Sequence, residues 1–200
     1  MRRLTLISCI LGFCIIWGKL ASQTALPELC NTYDSVGLYN ITIEFSKNSL
    51  SGLLILKKTS DSTFRLVLNA EMGPKLLDLE LSPTGYKTIY AFKKLNRKRI
   101  LRTFYEDFGA LSGILVWNKS FSIDTSEVAT SFSYDLGKQK KIIYCSEPAN
   151  IRINSGKEVV GKSVNTIFYY FYDPSILGVS SMKLEHQHFQ MAILLNKIIL

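Results

Sequence analysis

Apolar and polar residues alternate along the first half of the chain, a pattern typical of half-buried β-strands. Between residues 39 and 45 every second residue is apolar, and polar residues occupy the positions between them. Similar alternation returns at 64–68, 77–81 and 86–92, and the segment 52–58 between two polar turns is a further predicted strand. The chain is therefore predicted to form five strands in succession, at 39–45, 52–58, 64–68, 77–81 and 86–92.

Two of the predicted turns are specific. Ser82-Pro83-Thr84-Gly85 has the composition of a tight turn. Ala70-Glu71-Met72-Gly73-Pro74 joins the third and fourth strands and places Met72 at an exposed hairpin tip. A large apolar residue at such a position is unusual. We therefore consider Met72 a candidate for contact with lipid or a membrane, or a residue folded back on the sheet.

The spacing of apolar residues changes after Lys94 and predicts a helix over 96–108. Asn96 is a candidate N-cap and Gly109 a candidate C-terminal stop. Basic residues fall largely on the opposite side. A helix of about three turns is marginal alone, so it needs a sheet to lie on. Its apolar stripe consists of Ile100, Leu101, Phe104 and Phe108.

The second half of the chain returns to strand patterns. Residues 140–146, 164–172, 181–186 and 188–198 are predicted strands. Residues 166–172 are apolar or aromatic on both faces, which favours a central strand or a cavity wall. Segment 117–137 has weak periodicity and is predicted to be a loop with a short helix.

Short consecutive strands with tight turns predict a mainly β (α+β) fold. We expect a strongly curved antiparallel sheet, or an unclosed barrel, with the helix over its open side. Small barrels can be filled or hollow, so both interiors stay open. The predicted core or cavity residues are Phe64, Leu66, Leu77, Leu79, Tyr90, Phe92, Phe168 and Tyr170.

The first 22 residues have the layout of a signal peptide. Two arginines precede an apolar run, Leu4–Trp17, and small residues follow it. The run is shorter than the span of about 20 residues that a membrane helix needs. A cleaved signal, an uncleaved anchor and lipidation at Cys9 are the alternatives. Residues 23–36 are an irregular lead-in, and 37–200 form one predicted domain.

Composition places the chain among globular proteins. It has 200 residues, of which 47% are hydrophobic and 20% are charged. The formal net charge of +8 is compatible with anionic lipid, acidic proteins or simple solubility, and gives no argument for nucleic acid. Cys30 and Cys145 remain after the signal segment. They are predicted either to form one disulfide or to stay as two thiols.

The sequence contains no recognisable catalytic motif. It lacks a Ser-His-Asp arrangement, a glycine-rich phosphate loop, paired carboxylates and CxxC. His186 and His188 form a histidine pair that we expect to straddle a hairpin turn, and metal binding would require further ligands. We therefore predict a protein that is not an enzyme and uses neither a cofactor nor a metal.

Several of these motifs resemble the LolA/LolB family of lipoprotein-localisation proteins, LolB more than LolA. Ser51-Gly52 opens the second strand as the family's Ser-Gly does. Residues 64–68 lead into Met72-Gly73, which is similar to the family's Leu-Gly hairpin tip. The predicted helix with its exit at 109–113, and the hairpin of 182–186 with 189–193, are similar as well. The resemblance covers most of 37–198 and rests on spacing and turn placement.

The resemblance implies an unclosed antiparallel β-barrel with a helical lid and a cavity for acyl chains. Such proteins receive lipoproteins in the periplasm or insert them into the outer membrane. Met72 matches the leucine that touches the membrane in LolB-like members. The sequence departs from the family in its poor lipobox at Cys9, and Glu71 and Pro74 make the tip more polar and stiffer.

The leading hypothesis is an exported envelope protein of a Gram-negative-type bacterium, in the periplasm or on the periplasmic face of the outer membrane. It would bind lipoprotein acyl chains or another lipid, contact a membrane surface or a periplasmic carrier protein, and assist lipoprotein localisation. The alternative is a structural or protein-binding module with a filled interior. An enzyme such as an esterase is the third and least supported hypothesis.

Overall fold

Twelve β-strands form one antiparallel sheet in the computed structural model, which describes residues 36–60, 62–71, 73–147, 152–175 and 178–199. The strands are β1 (Val36–Phe45), β2 (Asn48–Ser60), β3 (Thr63–Ala70), β4 (Lys75–Ser82), β5 (Gly85–Ala91), β6 (Phe121–Thr125), β7 (Thr130–Gly137), β8 (Lys140–Ser146), β9 (Ile153–Val160), β10 (Ser163–Phe171), β11 (Ser181–His186) and β12 (Met191–Lys197).

The strand order is β5-β4-β3-β2-β1-β12-β11-β10-β9-β8-β7-β6, so strands adjacent in sequence also pair in space. Two meanders, β1–β5 and β6–β12, meet where β1 pairs with β12. Strands β5 and β6 are the two edges, and the sheet stays open between them. Helix α1 (Lys98–Leu111) and a 3-10 turn (Ile114–Val116) connect these edges. The predicted unclosed, curved sheet with a helical lid is confirmed.

The pairing register places the buried apolar residues of the strands on one face, against which α1 packs. We call it the inner face. For example, Leu66 lies opposite Leu79, and both are fully buried. Side chains alternate between the faces of a strand, so a period of two brings the buried residues to one face. The outer face is mixed, because β2 and β10 also carry apolar residues there, such as Ile55 and Ile167. The buried core runs continuously through both meanders and the helix.

The prediction of a loop with a short helix at 117–137 is wrong. This segment contains strands β6 and β7. Serine and threonine occupy many of their positions, and these residues weaken the apolar periodicity. Strand β9 was also not predicted from the sequence. Of its three buried residues only Ile153 is apolar, and the other two are Gly156 and Glu158, so the strand shows no apolar alternation.

Both ends of the helix differ from the prediction. Arg97, not Asn96, is the N-cap, and it makes no side-chain capping hydrogen bond. Gly109 lies inside α1, because the helix continues to Leu111. A Cβ at Gly109 would lie 2.9 Å from Leu115 Cγ, so a glycine permits the close approach of the 3-10 turn. The left-handed residue that ends the helical segment is Gly113, with φ of 74°.

Tyr90 and Phe92 are not core residues, which corrects the sequence prediction. They are 43% and 40% exposed. The register between β4 and β5 shifts at a bulge, so that Thr88 lies opposite Leu79 but Tyr90 lies opposite Asp78. The extra residue moves the following side chains to the other face, and Tyr90 therefore points to the outer face of the sheet.

A charged cluster on the outer face joins β3 to β4. Asp78 is fully buried, and both of its carboxylate oxygens accept hydrogen bonds from the Arg65 guanidinium, at 2.9 and 3.0 Å. The Lys75 ammonium donates a third, at 2.7 Å. The hydrogen bond from Arg65 is the main reason that the pKa of Asp78 is lowered, and Lys75 adds to the effect.

We expect Asp78→Asn to lower the free energy of unfolding at pH 7 by about 1–3 kcal/mol, because two cations lose a charged acceptor. The folded-state pKa of Asp78 is below its unfolded value, so its contribution is present above the unfolded pKa and is lost as pH falls through the folded one. Urea unfolding of wild type and variant should therefore converge in acid. Glu80→Gln, on the same face of β4, is the control and should change little. A loss of unfolding free energy in Asp78→Asn that does not change with pH would contradict this assignment.

No helix among the described residues combines the length and the apolar character needed to cross a membrane.

Candidate functional site: the interior beneath the helix

The inner face beneath α1 is the candidate site, and it brings together most of the residues predicted to line a cavity. Leu66, Leu77, Leu79 and Phe168 are fully buried, and Phe64 and Tyr170 are 3% exposed. The β1–β5 meander contributes the three leucines and Phe64, and β10 contributes Phe168 and Tyr170. Tyr90 and Phe92 lie outside this cluster, as described above.

The apolar stripe of the helix faces this interior. Leu101, Phe104 and Phe108 are buried, and Ile100 is half-buried against the core. The Phe104 and Phe108 rings stack with centroids 5.9 Å apart and an interplanar angle of 4°. The helix therefore covers the inner face as a lid, with its basic residues on the side that faces solvent.

The interior is closed in this structure. The side chains of Leu66, Leu77, Leu79 and Phe168 expose none of their surface. An acyl chain can therefore contact these four residues only if α1 or neighbouring side chains move. The closed form resembles an ordinary protein core, and a lipid-loaded form would have to differ from it.

Aromatic rings fill the interior on the side of β8 and β10. The Tyr144 and Phe168 ring centroids are 5.9 Å apart, and Tyr134 contacts Tyr144 edge-on at the same distance. Gly156 lies between them on β9, where a Cβ would overlap both the Phe168 and Tyr144 rings. The glycine thus makes room for the two rings on the inner face.

Two tyrosine hydroxyls hold the last turn of the helix. Tyr144 donates to the carbonyl of Ala110 at 2.5 Å, and Tyr170 donates to the carbonyl of Leu111 at 3.0 Å. Carbonyls in the last turn of a helix lack helical partners. The Ala110 carbonyl also accepts the Gly113 N–H at 3.1 Å. The tyrosines of β8 and β10 add partners from the sheet and thereby fix the C-terminal end of α1 over it.

A buried polar contact links the middle of the helix to β11. The Nε2 atom of His186 lies 3.1 Å from Asp107 Oδ2, and each side chain is 4% exposed. The other ring nitrogen, Nδ1, lies 3.3 Å from the Thr166 hydroxyl. The Phe189 ring stacks on the imidazole at 4.3 Å. Burial raises the pKa of the Asp107 carboxyl, and the His186 hydrogen bond opposes that shift.

A second polar contact lies beside the first. The buried carboxylate of Glu158 accepts a bond from the Lys140 ammonium at 2.9 Å and another from the Asn165 amide at 2.9 Å. Lys140 also lies 3.6 Å from Glu106 on the helix. Together, these contacts connect α1 to strands β8, β9, β10 and β11. We call Asp107, Glu106, Lys140, Glu158, Thr166 and His186 the polar bridge.

The sequence indicated His186 only as half of a histidine pair. The expected placement around a hairpin turn is correct, because His186 ends β11 and His188 lies in the following turn. The two residues differ in environment, however, because the His186 side chain is buried against Asp107 and His188 is exposed. Across the described residues, no group of three or more His, Cys, Asp or Glu side chains is arranged to hold a metal ion.

Three of the predicted residues lie outside the described part of the chain. They are Met72, Cys9 and Cys30, so the roles of Met72 and Cys9 stay predictions, as does the signal segment. Met72 falls in the β3–β4 connection, whose described residues form a turn as expected. Cys145 is half-buried on β8, and its pairing with Cys30 also stays a prediction.

Known structures with the same architecture were found by structural comparison. A LolA superfamily protein from Nitrosomonas europaea superposes with a TM-score of 0.56 at 7% identity, covering 88% of this chain and 90% of that one. A DUF1329 family protein from Desulfovibrio piger gives 0.52 at 9% identity, with 86% of each chain covered. A putative outer membrane lipoprotein-sorting protein domain from Vibrio parahaemolyticus gives 0.50 at 10% identity, covering 86% and 88%.

No protein-family model matches the sequence, and no curated protein matches it. At identities of 7–10% the structural matches establish a shared fold and do not separate LolB-like from LolA-like members. The resemblance predicted from the motifs is thus confirmed for the architecture. The strand order, the open edges and the helix over the inner face give this chain the LolA-like fold.

Proposed function

We propose that this protein is a non-enzymatic envelope protein that binds acyl chains beneath α1 and assists lipoprotein localisation. The observation that supports the proposal is the apolar inner face of an unclosed sheet, covered by one amphipathic helix. The solved structures with this fold include one described as a lipoprotein-sorting domain. The protein would act after export, in the periplasm or at the periplasmic face of the outer membrane.

Binding would require the lid to open. The C-terminal half of α1 is held by Tyr144, Tyr170 and the polar bridge. We therefore infer that the N-terminal half, with Leu101 and Phe104, swings away from the leucines of β3 and β4. An acyl chain would then replace the helix side chains on this apolar surface, so that little apolar area is left in water.

The assay is a titration with a fluorescent fatty acid, followed by displacement with palmitate. We expect saturable binding that palmitate reverses. Leu79→Glu should weaken it, because a carboxylate beneath the lid is costly to bury against an acyl chain. Glu80→Gln, at the next residue but on the outer face, is the matched control. Circular dichroism must show that both variants keep the fold, and Leu79→Gln is the substitute if Leu79→Glu does not.

The competing hypothesis is a structural or protein-binding module whose interior stays filled. It is supported by the complete burial of Leu66, Leu77, Leu79 and Phe168. Under this hypothesis the folded protein shows no saturable fatty-acid binding, which would overturn the carrier proposal. Lipidation at Cys9 and membrane contact by Met72 are separate predictions and do not depend on the titration.

A further inference from the structure

The two rims of the sheet carry opposite charge. Successive strands are antiparallel, so the connections between them lie alternately at one rim and at the other. The described residues of the connections at one rim are 46–47, 71, 73–74, 92–97, 138–139, 161–162 and 187–190. Those at the other rim are 62, 83–84, 126–129, 147, 152, 172–175 and 178–180.

The rim that holds residues 46–47 and 187–190 is strongly positive, and we call it the basic rim. In the described residues of its connections the only carboxylate is Glu71, whereas lysine or arginine occurs in four of the six connections. All of these cationic residues are exposed. They are Lys47, Lys93, Lys94, Arg97, Lys138 and Lys162, and the helix adds Lys98 and Arg99 directly after Arg97.

The other rim, the acidic rim, has the reverse balance. Its described connections carry exposed Glu127, Glu147 and Asp173, and the one basic residue among them is Arg152. The Arg152 guanidinium lies over the Tyr172 ring, 5.4 Å from the ring centroid. The molecule therefore has a positive and a negative end, separated by the length of its strands.

Exposed apolar side chains accompany the cations at the basic rim. Phe45, Phe92, Val160 and Phe189 are 39%, 40%, 45% and 50% exposed, and each lies in a connection of this rim or next to one. Val128 and Phe171, at the acidic rim, are exposed as well. Apolar exposure alone thus does not distinguish the two rims, whereas charge does.

We propose that the basic rim docks on an anionic phospholipid bilayer, with its aromatic side chains at the headgroup level. Lysine and arginine are attracted by the negative surface potential, and aromatic rings favour the interface between headgroups and acyl chains. The same potential repels the acidic rim, so the protein is oriented with the basic rim towards the membrane. An acidic protein would satisfy the charges as well, but the combination of cations with exposed Phe45, Phe92 and Phe189 favours a bilayer, because aromatic rings suit the membrane interface.

This proposal concerns the docking surface and goes beyond acyl binding in the interior. The two are tested separately, because the fatty-acid titration needs no membrane and vesicle binding needs no ligand beneath α1. If the fatty-acid titration fails and vesicle docking succeeds, the carrier proposal alone is overturned. The opposite pair of results would overturn docking alone.

The test measures co-sedimentation with vesicles of phosphatidylcholine, with and without phosphatidylglycerol. The full chain is expressed, and the processed form that the cell produces is used for every variant, so the N-terminus is constant. We expect binding that requires phosphatidylglycerol and weakens with salt. Lys138→Glu with Lys162→Glu should reduce it at least about tenfold, because each cation near an anionic surface contributes appreciably to attraction.

The matched control is Lys57→Glu with Lys87→Glu. Both residues are exposed, but they lie within β2 and β5 and outside the basic rim, and the change in net charge is the same. This variant should keep most of the binding. Equal loss in both variants would indicate a general charge effect and overturn the docking surface. Absence of phosphatidylglycerol-dependent binding by the wild type would overturn it as well, and would leave an acidic protein as the partner to examine.

Discussion

Phe168→Ala is expected to lower the free energy of unfolding by about 3–5 kcal/mol, the usual effect of removing a fully buried ring. Phe168 exposes none of its surface and packs on Tyr144 above Gly156. Its neighbours are held by the sheet and the helix and can collapse only in part, so a cavity remains. Urea unfolding measures the change.

Phe171→Ala on the same strand is the matched control. Phe171 is 50% exposed, so its truncation should change the free energy of unfolding by no more than about 0.5 kcal/mol. Similar losses for the two variants would contradict the packing described here. Phe168→Ala has a second use, because the cavity lies beneath the lid. If acyl chains bind there, this variant should bind a fatty acid at least as tightly as wild type, provided that it still folds.

His186→Ala should have the second-largest effect and lower the free energy of unfolding by about 3 kcal/mol at pH 7. The substitution removes the His186 hydrogen-bond partner of the buried Asp107 carboxylate, which is costly. The side chains of Asp107 and His186 are each 4% exposed, and Asp107 Oδ2 lies 3.1 Å from His186 Nε2. The loss should be accompanied by faster hydrogen exchange in α1, since this contact joins the helix to β11. Urea unfolding and exchange mass spectrometry measure the two effects.

Controls for this variant come from the same region. His188→Ala removes an exposed histidine two residues away and should leave stability nearly unchanged. Replacing both Asp107 and His186 by leucine should recover part of the lost free energy of unfolding, because no buried polar group is then left without its partner. An equal loss of unfolding free energy in His186→Ala and His188→Ala would show that the contact between Asp107 and His186 does not stabilise the fold.

The effect of His186→Ala should also depend on pH. The folded-state pKa of Asp107 is raised, chiefly by burial, so the carboxyl favours stability while protonated and this contribution is lost as pH rises through the folded pKa. Without His186 to oppose the rise in the Asp107 pKa, the ionised Asp107 carboxylate costs more free energy to bury. The difference in unfolding free energy between the variant and wild type should therefore shrink as pH falls from 7 into the acid range.

The sequence predicted those elements in which a face is marked by apolar residues. Strands β1 to β4 and the helix follow from periods of two and about four, because apolar side chains mark the buried face of each of them. Strand β9 was missed because two of its three buried positions hold Gly156 and Glu158, whose burial depends on the rings and the lysine of other strands. The bulge that turns Tyr90 outward likewise leaves no local signal in composition.

The candidate site likewise has one part that the sequence predicts and one part that it does not. The apolar interior could be predicted, because an inner face is built from local patterns on each strand. The polar bridge could not, because Asp107 and His186 are 79 residues apart in sequence and each looks ordinary in its own segment. Only the pairing of β11 with β10 and the position of α1 bring the two side chains together.

We propose that an acyl chain occupies the interior beneath α1, and Trp117 can report on its binding directly. Trp117 follows the 3-10 turn and packs against the core. The chain has two tryptophans, so Trp17→Phe makes Trp117 the single emitter. We predict saturable quenching of Trp117 by palmitate that carries a nitroxide near its methyl end, reversed by unlabelled palmitate. A folded protein whose Trp117 emission is unchanged by this ligand would contradict the claim.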